Sequence, residues 1–322
     1  MLRTRPRRSS MGRSLSVGLT GALLASAWAG AALAQAPVWP RSPVAVRHDD
    51  FLQTAVYPIW DDPSLSEVTL TLFPPQRTPA TGAAVIIVPG GAYVNLASNL
   101  EGRQAADWFA TRGVRAFLLR YRYGPDGPLP TPIVDGERAV RYLRAHAEDF
   151  GIDTDRIGML GFSAGGHLTA MTVLDSDPGD AAAVDPVERV SSRPDFMVLA
   201  YPWLRATLLT ADGHSPYCDF ALRKGWTCAP EDYTGVTPLP GVAAKAPPTF
   251  IYHTTDDELV PAAGSVDLYL ALTSAGVDSE LHLFAHGIHG TGMGGADPAL
   301  DQWPNLLAIW LRQRGYFERR PR

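Results

Sequence analysis

The chain has 322 residues, 46% of them hydrophobic and 19% charged, with a formal net charge of -5. This length allows one large domain or two small ones, and the apolar content is ample for a sizeable core. No basic run lies in the body of the chain, which argues against a nucleic-acid partner.

The N-terminus has the layout of a targeting segment. Arg3, Arg5, Arg7, Arg8 and Arg13 form a basic region, and Leu15 to Ala29 is apolar and small. Ala32-Leu33-Ala34 then supplies the small residues that a signal peptidase needs. The expectation is a signal peptide over 1–34, cleaved after Ala34, and a periplasmic or secreted product with no stable membrane span. An uncleaved anchor is the alternative, and Arg7-Arg8 leaves Sec and twin-arginine export both open. Residues 35–322 are then expected to form a single domain.

Residues 35 to about 65 are proline-rich and poorly periodic, so an irregular arm is expected there. Glu67 to Phe73 alternates polar and apolar residues, the pattern of a half-buried antiparallel strand. Ala83 to Val88 is a continuous apolar run, the pattern of a strand buried on both faces, and Pro89-Gly90-Gly91-Ala92-Tyr93 follows it. Leu100 to Arg112 reads as a helix stopped by Gly113, and Val114 to Leu119 as the next strand. Pro132 can open a helix, which Ile133, Val140, Leu143 and Ala147 continue and Gly151 ends.

Arg156 to Leu160 is a further apolar run, and a helical pattern begins at Ala164. Between them stands Gly161-Phe162-Ser163-Ala164-Gly165. A Gly-x-Ser-x-Gly at a strand-to-helix turn reads as a nucleophile elbow, in which Ser163 is strained and side chains at 161 and 165 would collide. The helix N-terminus also aims a partial charge of about +0.5 at the same spot. The strand Asp195–Ala200 leads to Tyr201-Pro202-Trp203. Periodicity then fails over about 206–246, which reads as an insertion over the site. It holds both cysteines, Cys218 and Cys228. In an oxidising compartment the expectation is that they pair, a bridge worth about 2–3 kcal/mol; two free thiols are the alternative. Neither spacing nor histidine partners suggests a metal site. Thr249–His253, Pro261–Ala275 and Asp278–Phe284 read as strand, helix and strand. Leu300, Trp303, Leu307 and Trp310 mark a closing helix. Strands alternating with helices imply an α/β fold, a mostly parallel sheet with helices on both faces and ligands beyond the carboxyl ends of its strands.

A serine hydroxyl needs a base, and the base needs an orienting acid. After an elbow of this kind the acid and the base follow in that order. The turn Thr254-Thr255-Asp256-Asp257-Glu258 and the turn Ala285-His286-Gly287-Ile288-His289-Gly290 supply them at the ends of two strands. Asp257 is preferred because it stands directly before the turn that launches the next helix; Asp256 is the alternative. His289 is preferred because Gly287 and Gly290 free its loop; His286 is the alternative. The oxyanion of a tetrahedral intermediate needs backbone N–H donors, each worth about 3–4 kcal/mol. Ala164 supplies one, and the Gly90-Gly91-Ala92 turn the other, most naturally from Gly91. Gly90, Ala92, Tyr93 and Trp203 are candidates for the substrate pocket, with the core as the alternative for Tyr93 and Trp203. His167 is expected to be structural, and Glu101 and Asp135 to serve as helix caps or dipole partners.

The motifs Val88-Pro89-Gly90-Gly91-Ala92-Tyr93, Gly161-Phe162-Ser163-Ala164-Gly165-Gly166-His167-Leu168, His253 to Pro261 and Gly287-Ile288-His289-Gly290 resemble the α/β-hydrolase superfamily. More narrowly they resemble secreted esterases related to hormone-sensitive lipase and to the bacterial acetyl xylan esterase or feruloyl-esterase-like group. The resemblance covers roughly residues 60 to 315. The one departure is Ala92, where that group has glycine. The resemblance implies a Ser163–Asp257–His289 triad, no cofactor, and small or polysaccharide ester substrates, often acetyl groups on plant polysaccharide. A prolyl-oligopeptidase-type exopeptidase and a hydrolase-fold binding protein without catalysis are the rival readings. With an imidazole reference near 6.5, activity of such a triad is expected to rise through about pH 6–7.

Overall fold

The computed structural model describes residues 47–49, 54–124, 127–204, 243–295 and 297–320, with the backbone alone for 47–49. Residues 1–34, where a signal peptide is expected, Cys218, Cys228 and nearly all of the 206–246 stretch lie outside the described residues.

The apolar runs become strands because they have nowhere else to hide so much aliphatic surface. β4 (Ala84–Val88) is buried at every position. Alternate side chains enter opposite layers, with Ile86 and Val88 on one face and Val85 and Ile87 on the other. Full burial of each such side chain contributes about 1.5–3 kcal/mol. β6 (Ile157–Phe162) and β7 (Phe196–Ala200) are buried in the same way. With β3 (Thr69–Phe73), β5 (Arg115–Arg120), β8 (Thr249–Thr254) and β9 (Ser279–Phe284) they match the expected strands closely. β3 is more buried than its alternation suggests, because Thr69 and Phe73 on its second face are covered as well.

The arm expected over 35–65 carries two further strands. β1 (Arg47–Asp49) pairs antiparallel with β2 (Thr54–Pro58), which pairs antiparallel with β3. These strands are short and lie among prolines, so their periodicity is too brief to read. Tertiary contact makes them: Tyr57 is buried with its ring edge-on to Phe150, centroids 5.2 Å apart.

Among the described residues nine strands form one sheet in the order β1-β2-β3-β5-β4-β6-β7-β8-β9. β4 to β9 run parallel, and β1 to β3 extend the sheet antiparallel from β5. Helices α2 (Thr131–Ala145), α3 (Ala147–Phe150), α4 (Ala164–Asp175) and α5 (Ala263–Ser274) cover one face. α1 (Gln104–Ala110) and α6 (Trp303–Gln313) cover the other. Residues 37–322 cluster as one compact unit. α1 is preceded by a π-helical turn, Ser98–Arg103, where the pattern suggested one continuous helix. No helix among the described residues is long and apolar enough to cross a membrane.

One feature of this topology positions the site. The chain passes from β4 outward to β5, then crosses back over β4 to β6. Ligands bind at such a reversal, outside the carboxyl ends of the strands. Val88 and Phe162 end β4 and β6 there, one directly before Pro89-Gly90-Gly91 and the other directly before Ser163.

Candidate active site

Ser163 stands between β6 and α4 with φ 50° and ψ -119°, a conformation that a residue with a side chain adopts at a cost of about 1–3 kcal/mol. The surroundings hold it there. Its N–H donates to the Ala200 carbonyl at 3.1 Å, and its carbonyl accepts from His167 and Trp203 at 3.1 and 3.0 Å. Glycine is required on both sides by space. A β-carbon at Gly161 would lie 2.2 Å from the Gly165 oxygen, and one at Gly165 would lie 2.1 Å from the Val88 oxygen. Among the described residues four non-glycines have positive φ: Ala92, Tyr93, Ser163 and Tyr201. All four follow the carboxyl ends of β4, β6 or β7, so the backbone strain is gathered at one edge of the sheet.

His289 reaches this edge from the loop after β9. Its Nε2 is 2.8 Å from Ser163 Oγ, and its Nδ1 is 2.7 Å from Asp257 Oδ2. A carboxylate only accepts, so Nδ1 carries the proton and donates it to Asp257. Nε2 is left with a lone pair facing the serine hydroxyl. Asp257 is itself heavily served. Its Oδ1 accepts the N–H groups of Leu259 and Val260 at 3.0 and 2.8 Å. Its Oδ2 also lies 3.3 Å from Nε2 of the fully buried His253. That nitrogen also faces the Val260 carbonyl at 2.9 Å, so it carries the proton, and Nδ1 accepts from the Ser265 hydroxyl at 2.8 Å. Burial works against the charge of Asp257. The bonds from His253, His289 and Val260 overcome it and hold the carboxyl well below the usual carboxylate range.

The alternatives, Asp256 and His286, form a pair of their own. His286 Nδ1 is 3.1 Å from Asp256 Oδ2, but the side chains are 90% and 51% exposed. Asp256 Oδ1 accepts the Gly287 N–H at 2.7 Å. This pair ties the two loops together at the surface; both of its hydrogen bonds stay within those loops.

The Gly90-Gly91-Ala92 turn passes directly beside the serine. A β-carbon at Gly90 would sit 2.8 Å from Ser163 Cβ. Gly91 takes φ 127°, open to glycine, and its carbonyl accepts the Val94 and Asn95 N–H groups at 2.9 and 3.1 Å. Among the described residues, the N–H groups of Gly91, Ala92 and Ala164 donate to no other protein group. That of Gly90 does: it donates to Glu101 Oε2 at 2.9 Å.

Tyr93 and Trp203 are buried in the layer beneath the turn. The Tyr93 hydroxyl is 2.7 Å from His167 Nδ1, and the three rings pack with centroids 5.6 to 6.3 Å apart. Neither Glu101 nor Asp135 is a helix cap; Glu101 does lie in the first turn of Ser98–Arg103, where a dipole role was expected, whereas Asp135 lies beyond the first turn of α2. Asp135 is buried inside α2 and accepts from Trp60 Nε1, the Arg122 N–H and the Arg122 guanidinium. Glu101 is turned into the protein by the π-helical turn and is only 4% exposed. His253 and Tyr201 carry no expected role at this site, and Glu101 was expected only at a helix start. His253 had a signal, as a position at the end of a buried strand shortly before the acid turn. Glu101 had none, because a π turn leaves no periodicity to read.

The BD-FAE family matches residues 70–272, a span that takes in the Gly90–Ala92 turn, Ser163 and Asp257 and ends before His289. An acetylxylan esterase of Xylanibacter ruminicola is 31% identical over 234 residues, which is 72% of this chain and 46% of that protein. A probable carboxylic ester hydrolase of Mycobacterium tuberculosis is 30% identical over 58% of this chain and 45% of its own. The chain thus spans about half the length of these relatives. Two solved structures match over nearly their whole length. The acetyl ester-xyloside bifunctional hydrolase of Caldicellulosiruptor lactoaceticus is 33% identical, covers 81% of this chain and 96% of its own, and has a TM-score of 0.71. Esterase 2 of Thermogutta terrifontis is 27% identical, covers 84% and 97%, and has a TM-score of 0.64. With more than half of its length inside the family match and this sheet order, the chain is an α/β hydrolase of the BD-FAE family.

Proposed function

We propose that this chain is an exported serine carboxylester hydrolase that removes short acyl groups, acetyl in the first place, from carbohydrate. The observation that carries the reading is the unbroken line from Ser163 Oγ through His289 to Asp257, with bonds of 2.8 and 2.7 Å. His289 Nε2 takes the Ser163 proton as Oγ attacks the ester carbonyl. The negative charge that develops on the carbonyl oxygen falls to the N–H groups of Gly91 and Ala164. Asp257 fixes the tautomer of His289 and stabilises its charged form. His289 then returns the proton to the departing alcohol, and water releases the acid from Ser163 by the same route in reverse.

The relatives named as an acetylxylan esterase and as an acetyl ester-xyloside hydrolase support the acetyl and carbohydrate part of the reading. The basic, apolar and small-residue order of residues 1–34 supports export. The test is hydrolysis of p-nitrophenyl acetate, butyrate and octanoate by the mature chain and by Ser163→Ala, followed by acetate release from acetylated xylan. Acetate ester turnover that is lost in Ser163→Ala, with acetate released from xylan, is the expected result. Turnover unchanged in Ser163→Ala overturns the mechanism. Preference for octanoate overturns the short-acyl assignment.

A further inference from the structure

Glu101 is a buried carboxylate that no lysine or arginine pairs with among the described residues, a costly arrangement for packing alone. Its two oxygens are used in two directions. Oε2 accepts the Gly90 N–H at 2.9 Å, and Oε1 accepts the Tyr201 hydroxyl at 2.9 Å. The Tyr201 oxygen in turn accepts the Gly292 N–H at 2.8 Å, three residues beyond His289. One carboxylate therefore connects the turn after β4, the residue after β7 and the loop after β9.

Each contact has a consequence at the site. The Pro89–Gly90 peptide is pinned from both sides, by Glu101 at its N–H and by the Tyr121 hydroxyl at its C=O, 2.8 Å away. The orientation of that peptide sets where the next N–H, that of Gly91, points. A β-carbon at Gly90 would lie 2.6 Å from Glu101 Oε2 and 2.8 Å from Ser163 Cβ, so the carboxylate, the turn and the serine meet at one residue. On the other side the Tyr201 ring stands edge-on to His289, centroids 5.1 Å apart, and a β-carbon at Gly290 would lie 3.8 Å from Glu101 Oε1.

We propose that Glu101 is a positioning residue that keeps the Gly91 N–H and the His289 loop in register with Ser163, and that its charge favours the imidazolium formed when His289 takes the serine proton. This rests on the esterase reading above. The charged and titratable groups facing Glu101 are Tyr201 from the end of β7, Tyr121 from the end of β5, and His289 with Asp257 behind it. Burial holds the Glu101 carboxyl above its ordinary value, and the bonds from Tyr201 and Gly90 and the nearby His289 offset it only in part. A neutral glutamine would fill the same space, so what the carboxylate adds is charge beside His289 and the capacity to accept from both sides.

The test joins amide NMR of ¹⁵N-labelled protein with turnover of p-nitrophenyl acetate. In Glu101→Gln the Gly90 and Gly292 amide signals are expected to move together. kcat is expected to fall about 10–100-fold with KM little changed. The acid limb of kcat/KM moves to lower pH, because a negative charge beside the base is gone. In Tyr201→Phe the Gly292 signal moves, the Gly90 signal stays, kcat falls, and the acid limb keeps its place because the charge remains. Glu101→Asp restores the acid limb and only part of kcat, since the shorter carboxylate keeps the charge without reaching both donors. A Gly292 signal that ignores Glu101→Gln overturns the proposal, as does kcat within about two-fold of wild type while only the melting temperature drops. Tyr201→Phe decides the link if Glu101→Gln does not fold. If the wild type turns over no ester, the esterase reading fails separately, and the Gly292 response still decides whether Glu101 couples the two loops.

Discussion

Two Asp–His pairs sit side by side on the same two loops, one residue apart on the acid turn and three apart on the histidine turn. Asp257–His289 is bonded at 2.7 Å, with side chains 0% and 14% exposed; Asp256–His286 is bonded at 3.1 Å, with side chains 51% and 90% exposed. Their chemistry is identical and their surroundings are not. The inner pair has Ser163 on one side and His253, Leu259 and Val260 on the other, all in a protein-lined space. The outer pair has solvent. Coulomb attraction in water is weak, and an exposed pair of this kind contributes about 0–1 kcal/mol. Burial fixes the geometry of the inner carboxylate and imidazole and sets a hydroxyl against the free Nε2; the outer pair has neither.

The sharpest way to break this comparison is to remove each histidine in turn. On the proposed mechanism Ser163 and His289 act as one unit, so His289→Ala and Ser163→Ala are each expected to lower kcat for p-nitrophenyl acetate on the order of 10⁶-fold. His286→Ala is expected to stay within about two-fold. Comparable losses in both would show that the outer pair takes part in turnover.

The carboxylates sharpen it at the next level. Asp257→Asn keeps the shape and loses the preference for the Nδ1–H tautomer, so kcat should fall about 10⁴-fold. Asp256→Asn should be close to silent in kcat, with its effect confined to the loop contacts to His286 and Gly287. Steady-state kinetics of the two asparagine variants checks both expectations at once.

A smaller effect lies in stability against pH. The folded Asp257 carboxyl is depressed, so its contribution to stability is fully present above the unfolded value of about 3.9. It is lost only as pH falls through the lower folded value. The melting-temperature gap between wild type and Asp257→Asn should therefore be the same at pH 7 and pH 5, and close only below about pH 4. A gap that closes between pH 7 and pH 5 would show that the folded carboxyl is not depressed.

The order of the elements was legible because the strands of a parallel sheet are continuously apolar and bounded by glycine and proline. β4, β6, β7 and β8 fall within a residue or two of their expected ends. β1 and β2 were not, since three and five residues among prolines carry too little pattern; they exist through pairing with β3. The π turn at Ser98–Arg103 read as plain helix because its distinguishing feature is a hydrogen-bond offset, to which side-chain periodicity is blind.

The site divides along the same line. Local chemistry, written in the sequence itself, determined that Ser163 stands in a glycine-lined turn between strand and helix, and that an acid turn and a histidine turn follow it in order. Residues 161 and 165 must be small because the backbone passes them within contact distance. Which of two adjacent aspartates and two nearby histidines faces the serine was decided only by the tertiary structure. So was the carboxylate of Glu101 reaching Gly90 and Tyr201, 11 and 100 residues away. A side chain's direction and its partners across the sheet depend on how distant strands are stacked, and no local pattern encodes that stacking.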